Sequence, residues 1–117
     1  MTEPLSLETI LGEFSDEDET WVLQDQLSGQ YLTIPDDRFP GRNPIRFFLS
    51  RHDAESVLKE VLKAKQSLRQ ARITAVKVKT KQAIASIAMD KTPGHADAFV
   101  VHSPNEVFEF LLKRDST

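Results

Sequence analysis

The apolar residues of this chain change their spacing several times, and this change constrains the fold more than any other feature. Segments in which every second residue is apolar, or in which apolar residues run together, alternate with segments in which they recur every three or four residues. The first pattern is typical of strands and the second of helices. Strands and helices that alternate in this way predict an α/β (mixed α+β) fold, in which helices cover one mixed sheet.

The predicted order of elements is α-β-β-β-α-β-α-β-α. The first helix begins after Ser6 and ends near Gly12, and a hairpin follows it. In chain order, strands are predicted at 21–26, 31–34, 45–49, 72–79 and 98–102, and the later helices at 51–68, 81–89 and 104–114. In the strand at 21–26, Trp21 and Leu23 are expected to share one face and Val22 to lie on the other.

Two helix starts carry specific signals. Ser50 precedes an apolar stripe with helical spacing, and Asp53 takes the acidic position of a capping box. Ser103 is followed directly by a proline, and Glu106 stands three residues after the serine. The second signal predicts that the last ordered element is a helix.

Length and composition predict one domain over 1–117, with 1–5 and 114–117 frayed and 13–20 forming an acidic loop. The hydrophobic fraction of 39% is enough for one ordinary core. The chain has no cysteine, which excludes disulfides and cysteine-based zinc sites and is compatible with a reducing compartment. Because no apolar run approaches the roughly 20 residues of a membrane helix and no secretory signal is present, we expect a soluble, cytoplasmic protein without membrane contact.

Charge is unevenly distributed along the chain. Residues 1–37 contain ten acidic and no basic residues, whereas residues 38–81 contain twelve basic and three acidic residues. Either the acidic N-terminal part lies near the basic part and shields it, or the basic part faces a polyanion or an acidic partner.

The densest basic run lies between Val61 and Met89, where there are seven lysines and arginines and no acid. Neighbouring lysines on one strand face repel each other, so something is expected to offset them. They protect an edge strand from aggregation, or the acidic segment 13–19 lies across them, or they bind an anion such as phosphate or nucleic acid. Nucleic acid is the less favoured partner, because no aromatics are interleaved with the bases. The residues predicted to bind an anion are Arg69, Arg72, Lys77, Lys79 and Lys81.

A segment at 34–48 combines three prolines, one glycine and three arginines. The prolines predict a stiff loop that leads into the strand at 45–49. Because arginines and aromatics that are exposed together favour interfaces, this loop is predicted to bind a protein partner or a second copy of the chain. The residues in question are Arg38, Phe39, Arg42 and Arg46. In the alternative, Phe39 lies in the core and the arginines pair with nearby acids.

Catalytic and metal-binding signatures are missing. Neither G-x-G-x-x-G nor G-x-x-x-x-G-K-[ST] occurs, and the three histidines do not have the spacing of metal ligands. His95, in a loop with proline and glycine, is the best candidate for chemistry, and His102 is expected to be a half-buried residue bonded to backbone. Asp36 and Asp37 are interpreted as turn formers. No catalytic, cofactor-binding or metal-binding residue is therefore predicted.

A nucleophile is also not predicted, although one set of suitable residues lies close together in sequence. Asp97, His102 and Ser103 are the residue types of a serine nucleophile with its base and carboxylate. The hydroxyl of Ser103 is expected to cap a helix, and a capping hydroxyl is engaged with backbone amides. We therefore expect a non-enzymatic protein.

One part of the chain is similar to a known family. The run Arg46-Phe-Phe-Leu-Ser-Arg-His-Asp-Ala-Glu-Ser-Val-Leu-Lys59 is followed by Ile73-Thr-Ala-Val-Lys-Val78 and by Phe99-Val-Val-His-Ser-Pro-Asn-Glu-Val107. Over residues 45–112 this order resembles one half-unit of the chloroplast inner-envelope translocon component of the intermembrane space and its cyanobacterial relatives. The resemblance implies a mixed α/β unit and a chaperone-like, non-enzymatic role in handling other proteins. The chain has one unit where the family has two, and no functional residue of the family maps onto it.

Overall fold

The computed structural model describes residues 3–34, 36–42, 44–65, 72–89 and 96–113. In chain order the elements are β1 (Pro4–Leu5), α1 (Leu7–Leu11), β2 (Glu19–Asp25), β3 (Pro44–Phe47), α2 (Arg51–Ala64), β4 (Ile73–Lys79), α3 (Thr80–Met89), β5 (Ala98–His102) and β6 (Val107–Leu112). The predicted α/β class is confirmed. No helix in these ranges is long and apolar enough to cross a membrane.

Four strands form a mixed sheet in the order β1-β6-β5-β3, and β2 pairs with β4 in a separate antiparallel ladder. In the larger sheet β3 runs parallel to β5, β5 antiparallel to β6, and β6 parallel to β1. The two groups meet where Trp21 and Phe48 exchange backbone hydrogen bonds of 2.8 and 2.6 Å. The strands therefore form two sheets where one was predicted, and the bridge between Trp21 and Phe48 joins β2 to the end of β3.

The helix starts at α1 and α2 have the predicted caps. The hydroxyl oxygens of Ser6 and Ser50 accept hydrogen bonds from the backbone N–H groups of Thr9 and Asp53, at 3.2 and 3.1 Å. These bonds satisfy donors that have no partner within the helix. The predicted continuation of α2 to residue 68 lies outside the described residues.

The β2–β4 ladder separates two cores. Val22 and Val76 face the main core, whereas Leu23 and Ala75 face a smaller core that α2 covers with Ala54. This arrangement confirms the predicted alternation along β2, since Trp21 lies with Leu23 and opposite to Val22. The main core also contains the inner face of the larger sheet and the apolar sides of α1 and α3, including Ile10, Ile45, Phe47, Ile84, Ile87, Phe99 and Phe110.

The return strand of the predicted hairpin is reduced to a short contact. Tyr31 forms a single bridge to Gln24, and Gly29 in the turn between them has a φ of 78°, which favours glycine. Farther along, the N–H of Ile34 donates to the carbonyl of Pro44 at 3.0 Å. The segment thus leaves β2 and joins the edge of β3.

The predicted final helix is wrong, because residues 107–112 form strand β6. The N–H and the hydroxyl of Ser103 both donate to the carbonyl of Glu106, at 2.9 and 3.0 Å, and close a turn between β5 and β6. Phe108, Phe110 and Leu112 occupy every second position and face the main core. Pairing along the whole of β5, together with burial of these side chains, outweighs the local signal for a helix start.

Candidate functional site

The proline loop, of which the structure describes residues 36–42, lies across the outer face of the larger sheet, the face turned away from the main core. Phe39 is only 4% exposed and packs against Ala98, Val100 and Leu111. The chain bends tightly enough for this because Gly41 has a φ of 73°, a value that favours glycine. Of the two predicted interpretations, the structure shows the one in which Phe39 lies in the core, so its ring is not available to a partner in this conformation.

Arg38 and Arg42 of the loop and Arg46 of β3 each meet an acidic residue. Arg46 Nη2 donates to Asp36 Oδ2 at 2.9 Å, and Arg38 Nη1 lies 3.3 Å from Glu109 Oε1 on β6. Arg42 contacts the carboxylate of Asp97, which lies just before β5. These contacts tie the loop to the sheet, while the side chain of Arg38 remains 46% exposed at its rim.

Asp36 is the anchor of this network. Burial by itself raises the pKa of this carboxyl. Two hydrogen bonds, one from the N–H of Arg38 and one from the side chain of Arg46, act in the opposite direction together with the two guanidinium charges. They outweigh burial, so the pKa of Asp36 lies below its ordinary value. The carboxylate is therefore ionised and holds both arginines, which is a structural role. Asp37 beside it is exposed.

Lysines of β4 and of the first turn of α3 meet the acidic segment. Lys77 and Lys79 both lie 3.9 Å from the carboxylate of Glu19, and Lys81 lies 3.3 Å from Asp16. Glu19 stands directly opposite Lys79 in the β2–β4 ladder. All of these side chains are partly exposed, so each pair contributes little to stability.

Two of the three predicted interpretations of the basic run describe this geometry together. Among the described strands β4 pairs only with β2, so it is an edge strand that carries lysines, and the acidic segment 13–19 lies beside them. Binding of an external anion stays a prediction. Of its other residues, Arg72 is exposed, and Arg69 lies outside the described residues.

His102 ends β5 on the outer face of the sheet. Its ring stacks on Phe48, with centroids 6.0 Å apart and planes at 4°, and its Nε2 is buried without a hydrogen-bond partner in the described part of the chain. This nitrogen therefore lacks the backbone partner that was expected. Burial lowers the pKa of His102, Arg46 and Arg38 lower it further, and Asp53 opposes them. The lowered pKa favours the neutral form of the imidazole.

The residues considered for nucleophilic chemistry are not brought together. Asp97 binds Arg42, and the hydroxyl of Ser103 donates to the carbonyl of Glu106, so neither orients His102. Within the five described ranges no group of three or more histidines and acids stands close enough to hold a metal ion. His95 lies outside those ranges.

The outer edge of β6 was not predicted from the sequence, because this segment was interpreted as a helix. β1 pairs with β6 only at Leu111 and Leu112, and no other described strand lies on that side. Phe108 and Phe110 stand on either side of the charged Glu109, and this apolar–charged–apolar spacing is the sequence signal that favours a strand here.

Backbone hydrogen bonds show which groups of β6 point outward. Leu112 donates to the carbonyl of Asp97 at 2.7 Å, which makes this pair hydrogen-bonded in the β5–β6 ladder. Because hydrogen-bonded and non-bonded pairs alternate in an antiparallel ladder, Phe108 and Phe110 also bond to β5. The N–H and C=O groups of Val107 and Glu109 therefore point away from β5. We call these two residues, with Phe108 between them, the open edge; the side chain of Val107 is 42% exposed.

Comparisons of the chain with protein-family models, with curated proteins and with solved structures give no match. The resemblance to the translocon component therefore stays a prediction that rests on the sequence segments quoted for it.

Proposed function

We propose that this chain is a non-enzymatic protein-interaction module that binds its partner by strand addition at the open edge of β6. The observation that carries the proposal is that Val107 and Glu109 direct backbone N–H and C=O groups to a side of β6 where no described strand pairs with them. Unpaired groups along a strand edge are a template for an extended segment of another chain, because main-chain hydrogen bonds then supply much of the affinity.

The contrast between the two edge strands supports this choice. β4 carries Lys77 and Lys79, and charged lysines on an edge discourage pairing with other chains. The open edge carries a single charge, that of Glu109, and Arg38 lies 3.3 Å from this carboxylate. With Val107 partly exposed beside it, this edge lacks the protection that β4 has.

The proline loop contributes to the same surface. Because Phe39 anchors the loop on the outer face, Arg38 is held next to Glu109, at the border of the open edge. The half-exposed guanidinium of Arg38 is thus the group of the loop that we assign to the partner, while Arg42 and Arg46 hold the loop in place through Asp97 and Asp36. A cytoplasmic location is part of the proposal and is supported by the absence of cysteine.

The test uses a pool of synthetic hexapeptides in which apolar and polar residues alternate, so that each peptide favours an extended conformation. Titration of ¹⁵N-labelled protein should shift the amide signals of Val107 and Glu109 in a saturable manner. Peptides with N-methylated amides at alternate positions should not bind, since they lack the donors that pair with an edge.

The matched variant is Val107→Pro. It removes an N–H that points away from β5, so the β5–β6 ladder keeps its hydrogen bonds while peptide binding is lost. Peptide binding that survives both N-methylation and Val107→Pro, or signals that shift only elsewhere on the protein, would contradict the proposed function.

A further inference from the structure

We infer that the partner at the open edge is a second copy of this chain, which pairs β6 with β6 in an antiparallel arrangement around a two-fold axis. The inference rests on the proposed function, because it names the occupant of the same edge. Pairing would join the two larger sheets into one sheet that runs through both copies.

The positions of the side chains restrict the possible registers. Residues that lie directly opposite each other in an antiparallel pair place their side chains on the same face of the sheet. A residue of β6 whose side chain is on the outer face must therefore lie opposite an outer-face residue of the second copy. A two-fold axis at Phe108 fulfils this condition. Phe108 of one copy then lies opposite Phe108 of the other, and Val107 of each copy lies opposite Glu109 of the other. Val107 and Glu109 are also the residues whose backbone groups point outward, so each facing pair exchanges hydrogen bonds in both directions.

The neighbouring registers are unfavourable. With the axis at Glu109, two carboxylates would lie directly opposite each other, and like charges in this position repel. The same register would place Val107 opposite Leu111, where Pro4 of β1 already pairs. With the axis at Val107, the overlap of the open edges shrinks to one residue. The chain's own β1 and Glu109 therefore select the register centred on Phe108.

Self-complementarity is what favours a second copy over an unrelated protein. Each Glu109 would lie opposite an apolar Val107, and its charge is already met by Arg38 at 3.3 Å. On the core side Phe108 is only partly buried, 6.2 Å from the ring of Phe14, and the second Phe108 would extend this aromatic cluster. Aromatic pairs across strands are stabilising. Because three residues a side bury little surface, we expect a weak dimer that forms as concentration rises.

The absence of cysteine from the chain allows a direct test by single-site cross-linking. Facing residues of a pair that is not hydrogen-bonded have Cα atoms about 4.5 Å apart, which fits a disulfide. Under mild oxidation Phe108→Cys should therefore form a covalent dimer rapidly. Leu27→Cys is the control, because Leu27 is 67% exposed in the turn after β2 and should cross-link only through random collisions.

A second pair of variants leaves the ring of Phe108 intact. A mixture of Val107→Cys and Glu109→Cys chains should cross-link at least several-fold faster than either variant alone, because only the mixture places two thiols opposite each other. In parallel, the mass of the wild-type protein from light scattering should rise from 13.3 kDa toward twice that value with increasing concentration. Val107→Pro should keep the protein at the lower mass.

The outcomes separate this inference from the proposed function. Cross-linking of Phe108→Cys and of the mixture no faster than that of Leu27→Cys overturns the inference, as does a dimer that persists in Val107→Pro. If the protein stays monomeric while Val107 and Glu109 still respond to the alternating peptides, the inference is wrong and the proposed function holds. If the edge responds to neither, both are wrong.

Discussion

Replacement of Phe39 by alanine tests how the proline loop lies on the sheet. The ring is 4% exposed and covers Ala98 and Val100 on the outer face. Truncation of a buried phenylalanine costs about 3–5 kcal/mol of unfolding free energy. Because the loop covers the face from one side and can settle into the space, we take the lower value, about 3 kcal/mol. For a chain of this length that loss lowers the midpoint of thermal unfolding by roughly 10–15 °C.

The measurement is urea unfolding followed by the fluorescence of Trp21, the single tryptophan of the chain. Phe39→Ala should lower the midpoint of unfolding without changing the dependence on urea. Phe39→Leu should retain most of the stability, and Leu27→Ala, at a residue that is 67% exposed, should stay within about 0.5 kcal/mol of the wild type. A Phe39→Ala variant as stable as Leu27→Ala would refute the reasoning, since the ring would then lie in solvent.

Three further predictions concern other parts of the fold. Burial, and after it the charges of two arginines, lower the pKa of His102 in the folded protein below about 6.5, the ordinary value of an unfolded chain. As the pH falls through this region, the unfolded chain therefore binds more protons than the folded chain, and the free energy of unfolding decreases. His102→Phe should therefore reduce the loss of unfolding free energy between about pH 7 and pH 5 in urea titrations, and an unchanged slope would contradict this. Glu19→Gln frees the two lysines that share this carboxylate, so the variant should elute from heparin at higher salt than the wild type, and equal elution would argue against anion binding at β4. The hydroxyls of Thr20 and Thr80 lie 2.8 Å apart in the interior, so Thr80→Val should cost about 1–3 kcal/mol in thermal unfolding, whereas the double valine variant should recover most of that loss, and strict additivity of the two single variants would contradict it.

Sequence patterns were sufficient to predict those elements whose structure depends on residues close together in the sequence. The cap at Ser50 and the helix after it follow from a hydroxyl and an N–H three residues apart. The two faces of β4 follow from the alternation of Val76 and Val78 with lysines, and contact with the acidic segment was one of the three explanations offered for those lysines. The cap and the two faces of the strand depend on residues within one segment. The contact between the lysines and the acidic segment joins two segments, but the uneven charge along the chain had already indicated it.

The two features that matter most for function depend on distant residues. The turn at Ser103 and a helix start use the same residue types, and β5 decides between them because it takes β6 as its antiparallel partner. Likewise Phe39 is buried because Ala98 and Val100, far along the chain, form an apolar outer face beneath the loop. The sequence of the loop holds no information on that face, so the buried and exposed positions of the ring were left as alternatives.

The most direct measurement of the open edge is amide hydrogen exchange, resolved by residue, in dilute and in concentrated protein. We predict that the amides of Phe108 and Phe110, which bond to β5, are protected at every concentration. The amides of Val107 and Glu109 should exchange rapidly in dilute protein and become protected as the concentration rises. Equal protection of all four amides in dilute protein would contradict the open edge and the function that we assign to it.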